Sequence, residues 1–156
     1  MKKLAIENQI VWRVGGLFAL THVRLTPEEG LAADEWNRRT PRRPEAQITV
    51  MRLDVAELIV TGQPLTTSGD NLLVELDLSV TNLPAGTRLR VGAAVVEMTL
   101  LPHNGCRKFA ARFGEDALRF VNTPATRHHN LRGVHWGVVA AGDVGVDAPI
   151  QVLSRP

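Results

Sequence analysis

The chain is cut too often by glycine and proline to hold long elements, and what lies between the cuts is β-branched. Residues 87–91 (TRLRV) and 94–100 (AVVEMTL) flank Gly92, a spacing that predicts two strands joined by a tight turn. Residues 47–52 (QITVMR) alternate and predict a strand, as do residues 71–75 and the run VHWGVVAAG that follows Gly133. Residues 144–153 hold two short strands. GTRLRVGAAV and GDVGVDAPIQV echo each other and read as similar hairpins at a barrel rim. Residues 10–20 (IVWRVGGLFAL) fit a strand, turn and strand, or a strand and an irregular arm. Helical spacing is confined to residues 107–113, 115–121 and 55–60, the last with Asp54 as N-cap and a stop near Gly62 and Pro64. Residues 65–70 read as a turn-rich loop and residues 77–82 as a turn or 3-10 segment. No long amphipathic helix is legible. The implied class is mainly β: a closed or partly open β-barrel with short helical insertions. One domain over residues 1–156 is expected, with residues 1–24 the least readable part.

Tyrosine is absent and aromatics make up 4% of the chain, so the core must come from Val, Leu, Ile and Ala. One cysteine excludes an internal disulfide framework. No apolar run approaches the ~18 residues of a membrane span. Met1-Lys2-Lys3 is followed by a broken apolar run rather than a signal-peptide core, so a cytoplasmic location is expected. A net charge of +2 argues against a general nucleic-acid binder. The charge is uneven, however. Arg38, Arg39, Arg42 and Arg43 surround Pro41 within residues 34–44, a predicted surface loop. That cluster is either a phosphate-binding patch or a solvated loop.

The chemistry-bearing stretch is LPHNGCRKFAARFG, residues 101–114, which contains the cysteine. Asn104-Gly105 is a strong turn signal. Cys106 then stands at the start of a helix on which Phe109 and Phe113 share a face, with Gly114 as the stop. Open N–H groups at a helix start favour a thiolate, and Arg107 and Lys108 add positive charge. The sulfur is therefore a candidate nucleophile, persulfide carrier or soft-metal ligand, with His103 as a proton partner. The competing reading is a small buried apolar side chain. Zinc held by His103, Cys106, His128, His129 and His135 is a weaker alternative, since structural zinc uses paired cysteine spacings. Asp70 with Asn71 reads as a turn beside the site.

Several segments together resemble a MOSC domain, the C-terminal domain of molybdenum-cofactor sulfurases that also occurs as free-standing bacterial proteins. They are Gly69-Asp70-Asn71-Leu72-Leu73-Val74, Leu83-Pro84-Ala85-Gly86-Thr87, Pro102-His103-Asn104-Gly105-Cys106 and Leu131-Arg132-Gly133-Val134. Gly30-Leu31-Ala32-Ala33-Asp34 resembles the family's glycine- and aspartate-bearing upstream segment, with Ala33 where a glycine is expected and Glu35 in place of a basic residue. The resemblance implies a barrel like the β-barrel domain of pyruvate kinase, and Cys106 as the family's characteristic cysteine. It implies a sulfur carrier that uses a persulfide. The alternatives are a molybdenum-cofactor reductase of N-hydroxylated compounds with Cys106 on the metal, or a non-catalytic binding module. Catalytic roles would fall to Cys106, His103 and Lys108. Cofactor contacts would fall to Asp70, Asn71, Asn104, Arg107 and Arg112 and to the cluster Arg38, Arg39, Arg42 and Arg43. The implied partner is a cysteine desulfurase, a pyridoxal-phosphate enzyme, or another sulfur donor.

Overall fold

The computed structural model describes residues 2–3, 10–13 and 17–156. Twelve short strands are present among them: β1 (Lys2–Lys3), β2 (Ile10–Arg13), β3 (Leu17–Leu20), β4 (His22–Thr26), β5 (Gly30–Leu31), β6 (Ile48–Arg52), β7 (Leu72–Val74), β8 (Arg88–Val91), β9 (Ala94–Met98), β10 (Val134–Ala140), β11 (Gly142–Gly145) and β12 (Pro149–Ser154). Nine form one sheet in the order β1-β12-β8-β9-β10-β6-β7-β2-β3, six strands of which curl into a half-barrel, and β11-β4-β5 form a second, smaller sheet. The partly open barrel expected from the glycine-punctuated strands is the architecture observed. The tight turn at Gly92-Ala93 joins β8 to β9, with Val91 opposite Ala94.

The expected second hairpin does not exist. β11 pairs with β4 in the small sheet, while β12 crosses to pair with β8 in the large one. The cause lies one strand earlier. β10 carries a bulge between Val138 and Ala140, and the chain then changes sheet. At that corner the backbone of Gly142 lies against Ala93, where an added Cβ would come within 2.2 Å of the Ala93 carbonyl carbon. No other residue fits so close an approach.

The pair β6–β7 positions the functional side. It is parallel, with Val50 opposite Leu72 and Met51 opposite Leu73, and so requires a crossover. The crossover is α1 (Leu53–Val60) followed by a 3-10 turn at Leu65–Ser68. Strand alternation then divides the side chains between two cores. Ile48, Val50, Leu72 and Val74 face the barrel interior with Leu25, Leu89, Val96 and Trp136. Met51 and Leu73 face outward, under α1 and under α2 (Arg107–Phe113) and α3 (Glu115–Asn122). Val55, Ile59, Phe109 and Val121 close that second layer. A strand pair buried on both faces reads as a continuous apolar run rather than as clean alternation.

Two local expectations are corrected. α1 starts at Leu53 with Arg52 as N-cap, so Asp54 lies in the first turn, where it accepts from Val55 N at 2.9 Å and pairs with Arg52 at 2.6 Å. Residues 34–44 are not wholly a surface loop. Asp34 and Trp36 are buried, because Asp34 caps a 3-10 turn at Glu35–Arg38 and Trp36 Nε1 donates to the Arg43 carbonyl at 3.0 Å. Residues 14–16, which would hold the turn between β2 and β3, lie outside the described residues.

Candidate functional site

The chain leaves β9, runs through residues 99–105 and enters α2 at Cys106. Phe109 is buried and packs edge-on against Phe113 at 5.0 Å, so α2 is anchored on the outward face of β6 and β7. The turn ahead of the cysteine is clamped from α3. Asn122 Oδ1 accepts from Gly105 N at 3.0 Å, and Asn122 Nδ2 donates to the Gly105 carbonyl at 3.1 Å. Cys106 is the N-cap of α2 in extended conformation, and its side chain is exposed. The thiol pKa is lowered from its ordinary value, first by the backbone N–H of Phe109; burial opposes this next, and the N–H of Lys108 and the charges of Arg132 and Lys108 lower it further. The sulfur makes no capping hydrogen bond of normal geometry, so the effect is that of open helix N–H groups and nearby cations on an ion.

Behind the cysteine lies a buried ionic cluster. Asp70 is fully buried, and Arg132 Nη1 donates to both its oxygens, at 3.0 and 2.8 Å. His103 Nε2 lies 2.9 Å from Asp70 Oδ1. Burial opposes ionisation of Asp70, but Arg132 and His103 outweigh it and hold the carboxyl at about 2. Asp70 is therefore a carboxylate, and His103 Nε2 carries the proton that it donates. The guanidinium of Arg132 also lies over the Phe109 ring, 5.0 Å from its centroid, which couples the ionic cluster to α2. The His135 ring lies tilted against that of His103, with centroids 4.5 Å apart, and its Nδ1 lies 3.1 Å from the Leu101 carbonyl. Burial, and next the charge of His103, lower His135 to about 4, so it is neutral at pH 7. Gly133 makes this packing possible. With φ +118, a Cβ there would come within 2.2 Å of the Val50 carbonyl oxygen and 3.2 Å of the His103 ring.

A second buried network joins two distant segments. Asn71 Nδ2 donates to Asp34 Oδ1 at 3.1 Å, while Asn71 Oδ1 accepts from Thr49 N at 3.1 Å. Asp34 Oδ2 accepts from Trp36 N at 3.3 Å. The Gly30–Asp34 segment, the Asp70-Asn71 turn and the His103–Cys106 turn are thus connected through β6 and Arg132. Over residues 22–151 the sequence matches the model of the MOSC domain.

The chain belongs to the MOSC domain family.

Solved structures share this fold. YiiM from Escherichia coli is 22% identical, with a TM-score of 0.66 over 100% of this chain and 71% of its own. YiiM from Geobacillus stearothermophilus is 15% identical, with a TM-score of 0.62 over 98% of this chain and 74% of its own. The YuaD protein from Bacillus subtilis is 15% identical, with a TM-score of 0.64 over 97% of this chain and 96% of its own. No curated protein matches the sequence. The MOSC family is associated with the molybdenum cofactor.

The structure gathers part of the set read from the sequence. Cys106, Arg107 and Lys108 lie together at the start of α2, exposed, with His103 and Asn104 on the turn before it. Arg112 leans back from α2 onto the Thr67 carbonyl at 3.3 Å. Asp70 and Asn71 have no exposed surface, and Asp70 meets the turn through His103. The arginine loop is built around Trp36. Arg42 stacks on that ring at 4.9 Å and donates to Asn37 Oδ1 and to the Glu28 carbonyl. Arg38 closes the 3-10 turn, and Arg39 N donates to the Trp36 carbonyl. The His128 and His129 rings lie tilted against each other with centroids 4.0 Å apart, both exposed. Among the described residues, no three of His, Cys, Asp or Glu gather as a metal site would need. No helix among the described residues is long and apolar enough to cross a membrane.

Arg132 and Asn122 escaped the residue-level reading. Arg132 had one available signal: a basic residue directly before a glycine that opens a strand. Asn122 had none, because its partner is the backbone of a turn 17 residues away.

Proposed function

We propose that this MOSC protein is a sulfur carrier, with Cys106 holding the transferred sulfur as a persulfide. One observation carries the reading: the thiol is exposed at a helix start, and its pKa is lowered by helix N–H groups and by Arg132 and Lys108. The Cys106 thiolate attacks the outer sulfur of a donor persulfide, such as that of a cysteine desulfurase. A new S–S bond forms on Cys106 as the donor S–S bond breaks, and the donor leaves as a thiolate, so no external oxidant is needed. The same fields then stabilise the anionic terminal sulfur of Cys106–S–S⁻. Asp70 holds Arg132 and His103 in position, and His103, three residues before the cysteine on the same turn, is the proton partner in this reading. An inert packing role for Cys106 does not fit its exposure. Incubation with a cysteine desulfurase and cysteine, followed by intact-protein and peptide mass spectrometry, tests the reading. A gain of about 32 Da on Cys106 that a reductant removes is expected. Absence of the adduct under conditions that load a known acceptor sinks it.

The family's association with the molybdenum cofactor favours a second reading. The donor set fits in chemistry: Cys106 supplies one soft thiolate, and the exposed Arg107, Lys108 and Arg112 are available to a phosphate. When bound, the cofactor would supply two-electron redox chemistry at molybdenum. This chain's own part would be to orient it through the thiolate and to hold its phosphate with those cations. Protein from a cofactor-competent host that carries no molybdenum by elemental analysis would count against it.

A further inference from the structure

A groove of about 780 Å³ opens beside the cysteine turn but does not include Cys106 among its walls. One wall is residues 98–104, which run from β9 to the turn. The other is residues 121–134, which run from the end of α3 through a 3-10 turn (Pro124–His129) to the start of β10. Residues 80–85 close the far end. The far end is tied to the second wall: Val80 N donates to the His128 carbonyl at 2.9 Å, and Asn130 Nδ2 donates to the Leu78 carbonyl at 2.9 Å. The groove is therefore preformed, and its size is that of a small-molecule site.

Its chemistry has two parts. Leu83, Met98, Leu101, Val121, Leu131 and Val134 give it an apolar lining. Leu100 and Val80 at its edge are 86% and 51% exposed, and both are large apolar side chains left uncovered. Four basic side chains, His103, Arg127, His128 and Arg132, also line it, and no carboxylate does among the described residues. Asp70 lies behind Arg132 and His103 and balances them, but Arg127 and His128 stand exposed on the 3-10 turn. Arg132 Nε, buried in this wall, has no hydrogen-bond partner among the described residues. A preformed, carboxylate-free groove that carries four basic side chains, two of them exposed, presents a positive lining to an anion.

We propose that this groove binds a small organic anion, with its apolar body on the Leu100–Val80 side and its carboxylate or phosphate toward Arg127 and Arg132. The site is independent of Cys106 chemistry and is tested without it. The test titrates the full chain with 1-naphthyl phosphate, 1-naphthoate, neutral 1-naphthol and inorganic phosphate, followed by backbone amide NMR shifts. At least one naphthyl anion is expected to bind saturably and about tenfold or more tighter than both 1-naphthol and phosphate, with shifts centred on residues 80–85, 98–104 and 127–134. Which anion binds better distinguishes a carboxylate from a phosphate ligand. Arg127→Gln and Leu100→Asn alter exposed side chains, so their amide spectra report directly that the fold is kept. Each is expected to weaken the anion about threefold or more, and added salt is expected to weaken it in the wild type. Equal affinity for 1-naphthol and the anions, shifts centred elsewhere, or unchanged binding in both folded variants overturns the proposal.

Discussion

Asp70→Asn is the substitution from which the structure predicts most. The carboxylate is fully buried, and its oxygens receive Arg132 Nη1 twice and His103 Nε2 once. Its ionised form is favoured from the ordinary 3.8 down to about 2. That shift corresponds to roughly 2–3 kcal/mol of stability. The sign follows from the direction. The folded carboxyl titrates below the unfolded one, so the contribution is complete above pH 4 and is lost as pH falls toward 2. Asparagine removes this contribution and also leaves the Arg132 guanidinium buried without a counter-charge, so the loss at pH 7 should reach about 3–5 kcal/mol. Urea unfolding followed by tryptophan fluorescence suits the measurement, since Trp36 and Trp136 are both buried. With a slope of ~2 kcal/mol/M, the midpoint should fall by about 1.5–2.5 M. Adding Arg132→Met to Asp70→Asn should recover part of the loss, because the stranded charge is gone. A variant within ~1 kcal/mol of wild type at pH 7, or one that keeps the wild-type loss of stability between pH 4 and 2, would refute the ionic anchor.

Three further outcomes are expected. Alkylation of Cys106 by iodoacetamide should rise with pH around an inflection below the ~8.5 of a free thiol, and Lys108→Gln should move it upward; an inflection at or above the free-thiol value in the wild type contradicts the electrostatic account. Neutral His135, lowered to about 4, should cost the fold stability as pH falls from 6.5 to 4, by about 3 kcal/mol, because the unfolded chain takes up the proton first. His135→Gln should flatten that interval in unfolding curves taken at successive pH values, and an undiminished slope there would show that another group is responsible. Ala33 sits at φ +62, where a side chain is strained, so Ala33→Gly should raise stability by up to ~1 kcal/mol, and a lower melting temperature would count against the strain.

The strand pattern was legible because glycine punctuation and β-branched runs are local signals, and so were α2 and the place of Cys106 at its start, though not the exposure of its thiol. What was not legible depended on distant partners. Asp34 looked like part of a polar loop, yet its carboxylate is fixed by Asn71, 37 residues away. Trp36 pulled the arginine loop inward, which its charged neighbours concealed. The false hairpin at residues 142–154 had the right strands in the wrong pairing: periodicity gives a strand its faces but not its neighbour. The bulge in β10 that sends the chain to the other sheet has no local mark beyond Gly142. Resemblance carried Ala33 to a position where glycine is expected, and the positive φ supplies the physical reason for that expectation.

Arg132 explains why the cysteine and its surroundings must be considered as one object. Its guanidinium meets a carboxylate on the turn before β7, an aromatic ring on α2 and, through its field, the sulfur at the start of that helix. A lysine would keep the charge but could neither stack its head group as a plane on Phe109 nor hold a fixed donor geometry toward Asp70. The contact with Phe109 matters because Phe109 is the residue that seats α2 on Met51 and Leu73, the outward-facing side chains of the parallel strand pair. Movement of Arg132 would therefore shift the helix whose open N–H groups face the thiol, as well as remove a nearby cation. The two causes of the lowered thiol pKa, helix N–H groups and basic side chains, are mechanically linked through a single side chain that is nearly buried. That linkage lets a seven-residue helix, too short to be stable alone, present a thiol of lowered pKa at a fixed position on the surface.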